Sequence, residues 1–386
     1  MEQLINSHVK NIQISGIRRF YNLVADKKDM ISLTIGQPDF PTPLHVKEAG
    51  IEAIQSNQTT YTPNAGLMTL RSAISDFYSK YAPAYRAEDE IIVTVGASQA
   101  IDITLRTILE PGDEVILPGP VYPGYEPLIS LAGGIPVLAD TSSNGFKLTQ
   151  SILEQYITPK TKCIILPYPS NPTGVTLTYD ELKVMADFLA EKDIFILSDE
   201  IYSELTYDEA HVSIARFPQV RDKTIIINGL SKSHSMTGWR IGFTLAPAWL
   251  SDHMLKVHQY NATCATSISQ YAAIEALTNG LEDPVEMREA YRVRRDYCLE
   301  RLSKMGLAVE KPNGAFYIFP KFPIKKMTSL ELGLALVEQA GLAIVPGDAF
   351  SEYGEGYMRL SYAYSMEQLE EGMDRLERFL DSNALA

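Results

Sequence analysis

The chain has 386 residues, 45% of them hydrophobic and 21% charged, with no biased tract and a formal net charge of −14 at neutral pH. That length suits a large core and more than one lobe, and the acidic balance opposes binding to nucleic acid or to an anionic membrane. No apolar run is long enough to span a bilayer, and the opening MEQLINSHVKNIQISGIRRF lacks the apolar core and cleavage site of a secretory leader.

Residues 1–35 fit no sheet pattern and are expected to pack with a second lobe. From Glu90 onward, short apolar runs alternate with helical patterns. EIIVTVG reads as a strand and ASQAIDITLRTIL as a helix; DEVILPG is a strand and YEPLISLAG a helix; IPVLAD is followed by the helical LTQSILEQYIT. TKCIILPY then precedes the amphipathic DELKVMADFLAEKD, and IFILSDE, TIIINGL and GFTLA complete the strands. Runs rich in Val, Ile and Leu with helices between them predict a mainly parallel sheet covered on both faces, an α/β domain over 36–285. Such sheets bind ligands at the carboxyl ends of their strands.

After residue 285 the texture changes. The helical DPVEMREAYRVRRDYCLERLSKMG, then GAFYIFP, a further helix, YMRLSYA and the closing helix EQLEEGMDRLERFL predict a smaller α+β domain over 286–386. The basic cluster Arg292, Arg294 and Arg295 has acidic neighbours and reads as a solvated helix face. Cys163, Cys264 and Cys298 are odd in number, far apart and without metal or disulfide spacing, which points to a reducing compartment, the cytoplasm.

Chemistry-capable residues collect where strands stop. After EIIVTVG, Ala97-Ser98-Gln99 opens a helix whose free N–H groups can hold an anion, or Ser98 is a plain cap. After TKCIILPY, Asn171 sits in the turn PSNPTG, where its amide can donate to an oxygen. After IFILS, Asp199 and Glu200 need partners; Asp199 can hold a cationic ring nitrogen or cap the next segment, and Tyr202 can donate to a phenolic oxygen. After TIIINGL, Ser231 and Arg240 can bind a phosphate. Lys232 between them is either a snorkelling surface lysine or a desolvated, nucleophilic amine. His234 reads as a histidine bonded to backbone. Together these groups supply what pyridoxal phosphate needs: an aldehyde partner, a carboxylate for the ring nitrogen, donors to the ring oxygen and a phosphate cradle.

YPSNPTG, SDEIY and SKSHSMTGWRIG in this order resemble the fold-type I, class I aminotransferases, dimeric enzymes using pyridoxal 5'-phosphate, and the likeness runs from ISLTIGQPDFPTP to YMRLSYA. The resemblance implies that Lys232 bonds the cofactor aldehyde and acts as the proton-moving base. It implies that Asp199 pairs with the ring nitrogen and that Tyr202 and Asn171 hold the ring oxygen. Ser231, Arg240 and the backbone of Ala97, Ser98 and Gln99 would take the phosphate. Tyr122 would stack on the ring, and Tyr61 would reach the neighbouring subunit's phosphate in a homodimer. Arg359 would clamp the substrate carboxylate beside the backbone of Gly36. No metal is implied.

Whole segments, among them ISGIRRFYNLV, GPVYPGYEPLI and LKVHQYNATCATSISQ, are similar to the bacterial N-acetyl-LL-diaminopimelate aminotransferases of lysine biosynthesis, with 2-oxoglutarate as the expected acceptor. An aspartate- or aromatic-type aminotransferase, a C–S β-lyase on the same scaffold and a catalytically silent cofactor-binding regulator are the alternatives.

Overall fold

The computed structural model describes residues 1–24, 27, 29–323 and 327–382. Its strands are β1 (Ile31–Ser32), β2 (Ile91–Thr94), β3 (Glu114–Gly119), β4 (Ile135–Asp140), β5 (Thr161–Leu166), β6 (Phe195–Asp199), β7 (Thr224–Gly229), β8 (Gly242–Leu245), β9 (Tyr317–Ile318), β10 (Leu342–Ala343), β11 (Val345–Pro346) and β12 (Met358–Ser361). Seven form one sheet in the order β2-β8-β7-β6-β5-β3-β4. Within it β8 alone runs opposite to the other six strands. The expected mainly parallel α/β sheet is therefore present.

The uniformly apolar strands follow from burial on both faces. Successive side chains point to opposite sides of a sheet. Val115, Ile165, Leu197 and Ile225 pack into one core with the helices Gly96–Ile108 and Ala248–Ala262, whereas Ile116, Ile164 and Ile196 pack into another with helix Tyr179–Ala190. Each such fully buried side chain contributes about 1.5–3 kcal/mol. Helix Tyr179–Ala190 starts where the sequence signals it, with Thr178 and Glu181 forming a reciprocal capping box.

The C-terminal part centres on the antiparallel sheet β11-β12-β9. Phe316, Ile318, Leu360 and Tyr362 pack there against Cys298 and Leu302 of helix Asp283–Lys304 and against Leu369, Met373 and Leu376 of helix Met366–Ser382. β1 pairs in parallel with β10, and Phe20 and Val24 pack with Val337 and Ala343. Among the described residues no helix is long and apolar enough to cross a membrane.

The basic cluster needs a correction. Arg292 is solvated and bonded to Glu289 on its own helix, but Arg295 is 1% exposed. Its guanidinium grips Asp208 with two bonds of 2.9 and 3.1 Å, donates to the carbonyl of Pro312 and lies over the Tyr207 ring. Arg295 thus ties the segment after β6 to the C-terminal part. Replacing it (Arg295→Leu) removes these bonds while Asp208 keeps solvent and Lys311 as partners. A loss of about 1–3 kcal/mol is expected, read as a lowered urea midpoint; an unchanged midpoint would show the tie to be without consequence.

Candidate active site

The carboxyl ends of β3, β5, β6 and β7 and the helix start after β2 surround a cavity of about 420 Å³. At one end, helix Gly96–Ile108 begins directly after β2 and offers the unpaired N–H groups of its first turn. Ser98 is not the cap: that position is Val95, whose N–H is taken by the Gln99 side chain at 2.7 Å. The Gln99 amide also donates to Asn261, so its side chain points away, and Ala97 and Ser98 alone of this trio line the cavity. Ser231 and Arg240 face the same end.

Arg240 follows a 3-10 turn in left-handed backbone (φ 52, ψ 56) and anchors one nitrogen on the Thr237 carbonyl at 2.8 Å. The rest of its guanidinium lies over Gly96, where any Cβ would collide with it and where φ is itself +75°. A guanidinium above a helix N-terminus, with a serine beside it, is a cradle for a phosphate.

Lys232 sits on a one-turn helix, Leu230–Ser233, rather than on an irregular turn. Its amine points inward, not to the surface, and donates to the Gly36 carbonyl at 2.7 Å. Burial, then Arg359, then Arg240 draw it down to about 8, against an opposing pull from Asp199. His234 behaves as its sequence context suggests: the ring contacts the Gly280 carbonyl and the Ser233 hydroxyl, both at 2.9 Å.

Asp199 ends β6, where it both bonds the segment that follows and faces the cavity. One carboxylate oxygen accepts from the N–H of Ile201 at 3.2 Å, and the other accepts from the Tyr125 hydroxyl at 2.6 Å while facing the cavity. Burial pushes this carboxyl up to about 6, offset by those two donors. A cation opposite it restores the charged form. Glu200 faces the other way, fully buried, and accepts from Tyr78, Ser198, Ser213 and His211.

At the opposite end, Arg359 of β12 is 2% exposed. It donates to Asn171 Oδ1 at 2.9 Å and to the Thr34 carbonyl at 2.6 Å, and its buried Nε–H has no partner. That orphaned donor is what an incoming carboxylate would satisfy. Asn171 spends its oxygen on Arg359 and keeps its NH2 for an acceptor. Tyr122, Tyr202 and Gly36 complete the wall; Tyr122 is 39% exposed and so is not a core residue. Tyr61 does not line the cavity and is 86% exposed.

Among the wall residues the sequence reading did not single out are two tyrosines with polar roles in the site, Tyr125 and Tyr317. Tyr125 opens helix Tyr125–Leu131 just after the turn that carries Tyr122, and the two rings meet edge to face at 5.6 Å. Tyr317, in GAFYIFP, comes from β9 and hydrogen-bonds Tyr202 through the two hydroxyls at 3.0 Å. The donor set fits pyridoxal phosphate: an anion cradle, an amine of lowered basicity, a carboxylate opposite a ring nitrogen, and phenol and amide donors between them.

The family model "Aminotransferase class I and II" matches residues 28–376. A Bacillus subtilis protein named "Probable N-acetyl-LL-diaminopimelate aminotransferase" is 61% identical over 381 residues, covering 98% of this chain and 96% of its own. An aspartate aminotransferase of Pyrococcus abyssi is 44% identical over 376 residues, covering 96% and 97%. Among solved structures, a Thermus thermophilus aspartate aminotransferase variant superposes with a TM-score of 0.92 at 37% identity, covering 97% of this chain and 99% of its own. The chain belongs to the class I and II aminotransferases, enzymes that depend on pyridoxal 5'-phosphate.

Proposed function

We propose that this aminotransferase moves the amino group of N-acetyl-LL-2,6-diaminopimelate to 2-oxoglutarate, reversibly, in lysine biosynthesis. The observation that carries the donor is the 61% identity to the Bacillus subtilis relative of that name, well above the 38–44% shared with relatives named for aspartate or aromatic amino acids. The free state of all three cysteines accords with a cytoplasmic protein. We assign the chain an N-terminal segment, 1–35, a cofactor-binding domain, 36–285, and a small domain, 286–386. We also propose a homodimer in which the exposed Tyr61 reaches the neighbouring subunit's phosphate site, joined there by the backbone N–H groups of Ala97, Ser98 and Gln99 and by Ser231 and Arg240.

When bound, pyridoxal phosphate supplies an aldehyde and a ring that withdraws electron density from the substrate Cα. Arg359 holds the α-carboxylate beside Gly36 and so fixes which Cα bond faces Lys232. Lys232 Nζ would take the Cα proton as general base and deliver it as acid to the carbon that was the cofactor's aldehyde, a shuttle that its lowered basicity favours. Asp199, oriented by Tyr125, presents its carboxylate to the cationic ring nitrogen. Tyr202 and Asn171 donate to the ring oxygen, and Tyr122 covers the ring face.

With 2-oxoglutarate present, glutamate is expected to form faster from N-acetyl-LL-diaminopimelate than from aspartate, aromatic amino acids or alanine. Preference for another donor would sink the pathway assignment, and pyruvate with ammonia from cystathionine, needing no 2-oxoglutarate, would indicate a lyase. Because Lys232 is drawn down to about 8, it is neutral above that pH and charged below. Its modification by an amine-reactive reagent in cofactor-free protein is therefore expected to rise through a midpoint near 8; a midpoint like that of an ordinary lysine, near 10.4, would refute the desolvated site. Light scattering is expected to give a dimer mass for the active species, and an active monomer would remove Tyr61 from the site.

A further inference from the structure

We propose that Tyr317 is a positioning residue of the cofactor site: its hydroxyl donates to the Tyr202 hydroxyl and so makes Tyr202 a stronger donor to the ring oxygen. The inference rests on reading the cavity as the pyridoxal phosphate site with Tyr202 as a donor.

A neutral tyrosine has a single hydroxyl proton. If Tyr202 gives its proton to the ring oxygen, the 3.0 Å bond between the two hydroxyls can run only from Tyr317 to Tyr202. Nothing else about Tyr317 is free to vary. It is buried in β9, and its ring packs against Phe316 and carries the Arg359 guanidinium 4.4 Å from its centre. Its hydroxyl lies against Gly36, where any Cβ would collide with it. The hydroxyl is thus locked in place, and the adjacent guanidinium stabilises the negative charge that develops on the phenol oxygen as its proton is shared, which makes the O–H a better donor. Two hydrogen bonds in series polarise each other, by roughly 10–30% per bond.

The direction of the effect follows from charge. A stronger donor at the ring oxygen favours whichever state of the bound cofactor is more negative. That state is the one from which the proton shared with the Lys232 nitrogen has left. Tyr317 therefore lowers the pH midpoint of the bound cofactor's visible absorbance. The other charged or titratable groups facing this pair are Tyr122, Tyr125, Asp199, Lys232, Arg359 and Tyr364, and a Tyr317→Phe exchange leaves all six in place.

The test is a spectroscopic pH titration of the holoenzyme. Tyr317→Phe is expected to raise the midpoint by roughly half a unit to one unit, the size of one neutral hydrogen bond. Tyr202→Phe is expected to raise it further, and the double variant to match Tyr202→Phe alone. An unmoved midpoint in Tyr317→Phe, or its full shift persisting on the Tyr202→Phe background, overturns the inference. Should the Phe variant not fold, 3-fluorotyrosine at position 317 keeps the ring and its packing but sharpens the donor. The midpoint must then fall, and a midpoint that stays put overturns the inference. Lys232→Ala separates the two levels: it should abolish the pH-dependent band, and survival of that band would overturn the site reading itself.

Discussion

Keeping a primary amine partly uncharged inside a protein is the constraint on which this site turns. Lys232, Arg240 and Arg359 share one cavity with Asp199, so three potential cations face one carboxylate. The imbalance does two things. It draws the lysine toward neutrality, and it shapes two anion-binding surfaces of different form. One is a helix start under a guanidinium, suited to a phosphate; the other is a buried guanidinium with an unused N–H, suited to a carboxylate. A cofactor carrying a phosphate at one end and a substrate carrying a carboxylate at the other restore the balance.

The two ends of the cavity come from different parts of the chain. The phosphate end is made by the large sheet: β2 leads into the helix start, and β7 leads into Ser231, Lys232 and Arg240. The carboxylate end is made by Arg359 of β12 and by Gly36, which follows β1. β1 in turn hydrogen-bonds β10, and the carbonyl of Leu33 accepts from Ser361, two residues past Arg359. The contact from Lys232 to the Gly36 carbonyl therefore joins the amine proposed to react to the frame proposed to hold the substrate.

The central sheet was legible because parallel strands buried on both faces must read as unbroken apolar runs, and TKCIIL and TIIING do. Lys232, Asp199 and Arg240 were legible because polar residues at the ends of such runs need partners. What escaped had specific causes. Arg295 was read as solvated from its charge. Yet it continues the stripe Met287, Tyr291, Cys298, Leu302, whose spacing of three and four marks the buried side of helix Asp283–Lys304. Tyr317 meets a partner 115 positions away, and no local pattern encodes that. Gln99 was grouped with Ala97 and Ser98 as backbone, whereas its side chain turns back to accept from the N–H of Val95, the residue that stands at the cap position.

Asp199 and Glu200 are neighbours in sequence, yet one faces the cavity and the other is sealed among Tyr78, Ser198, Ser213 and His211. Side chains alternate along a strand, so sliding β6 by one residue would exchange them. The sealed acid would then face the cavity, and the cavity's acid would land among hydroxyls spaced for a longer side chain. Loops around the sheet can lengthen or shorten as lineages diverge. The span from β6 to the end of SDEIY has no such freedom, because a single inserted or deleted residue there would miswire both carboxylates at once.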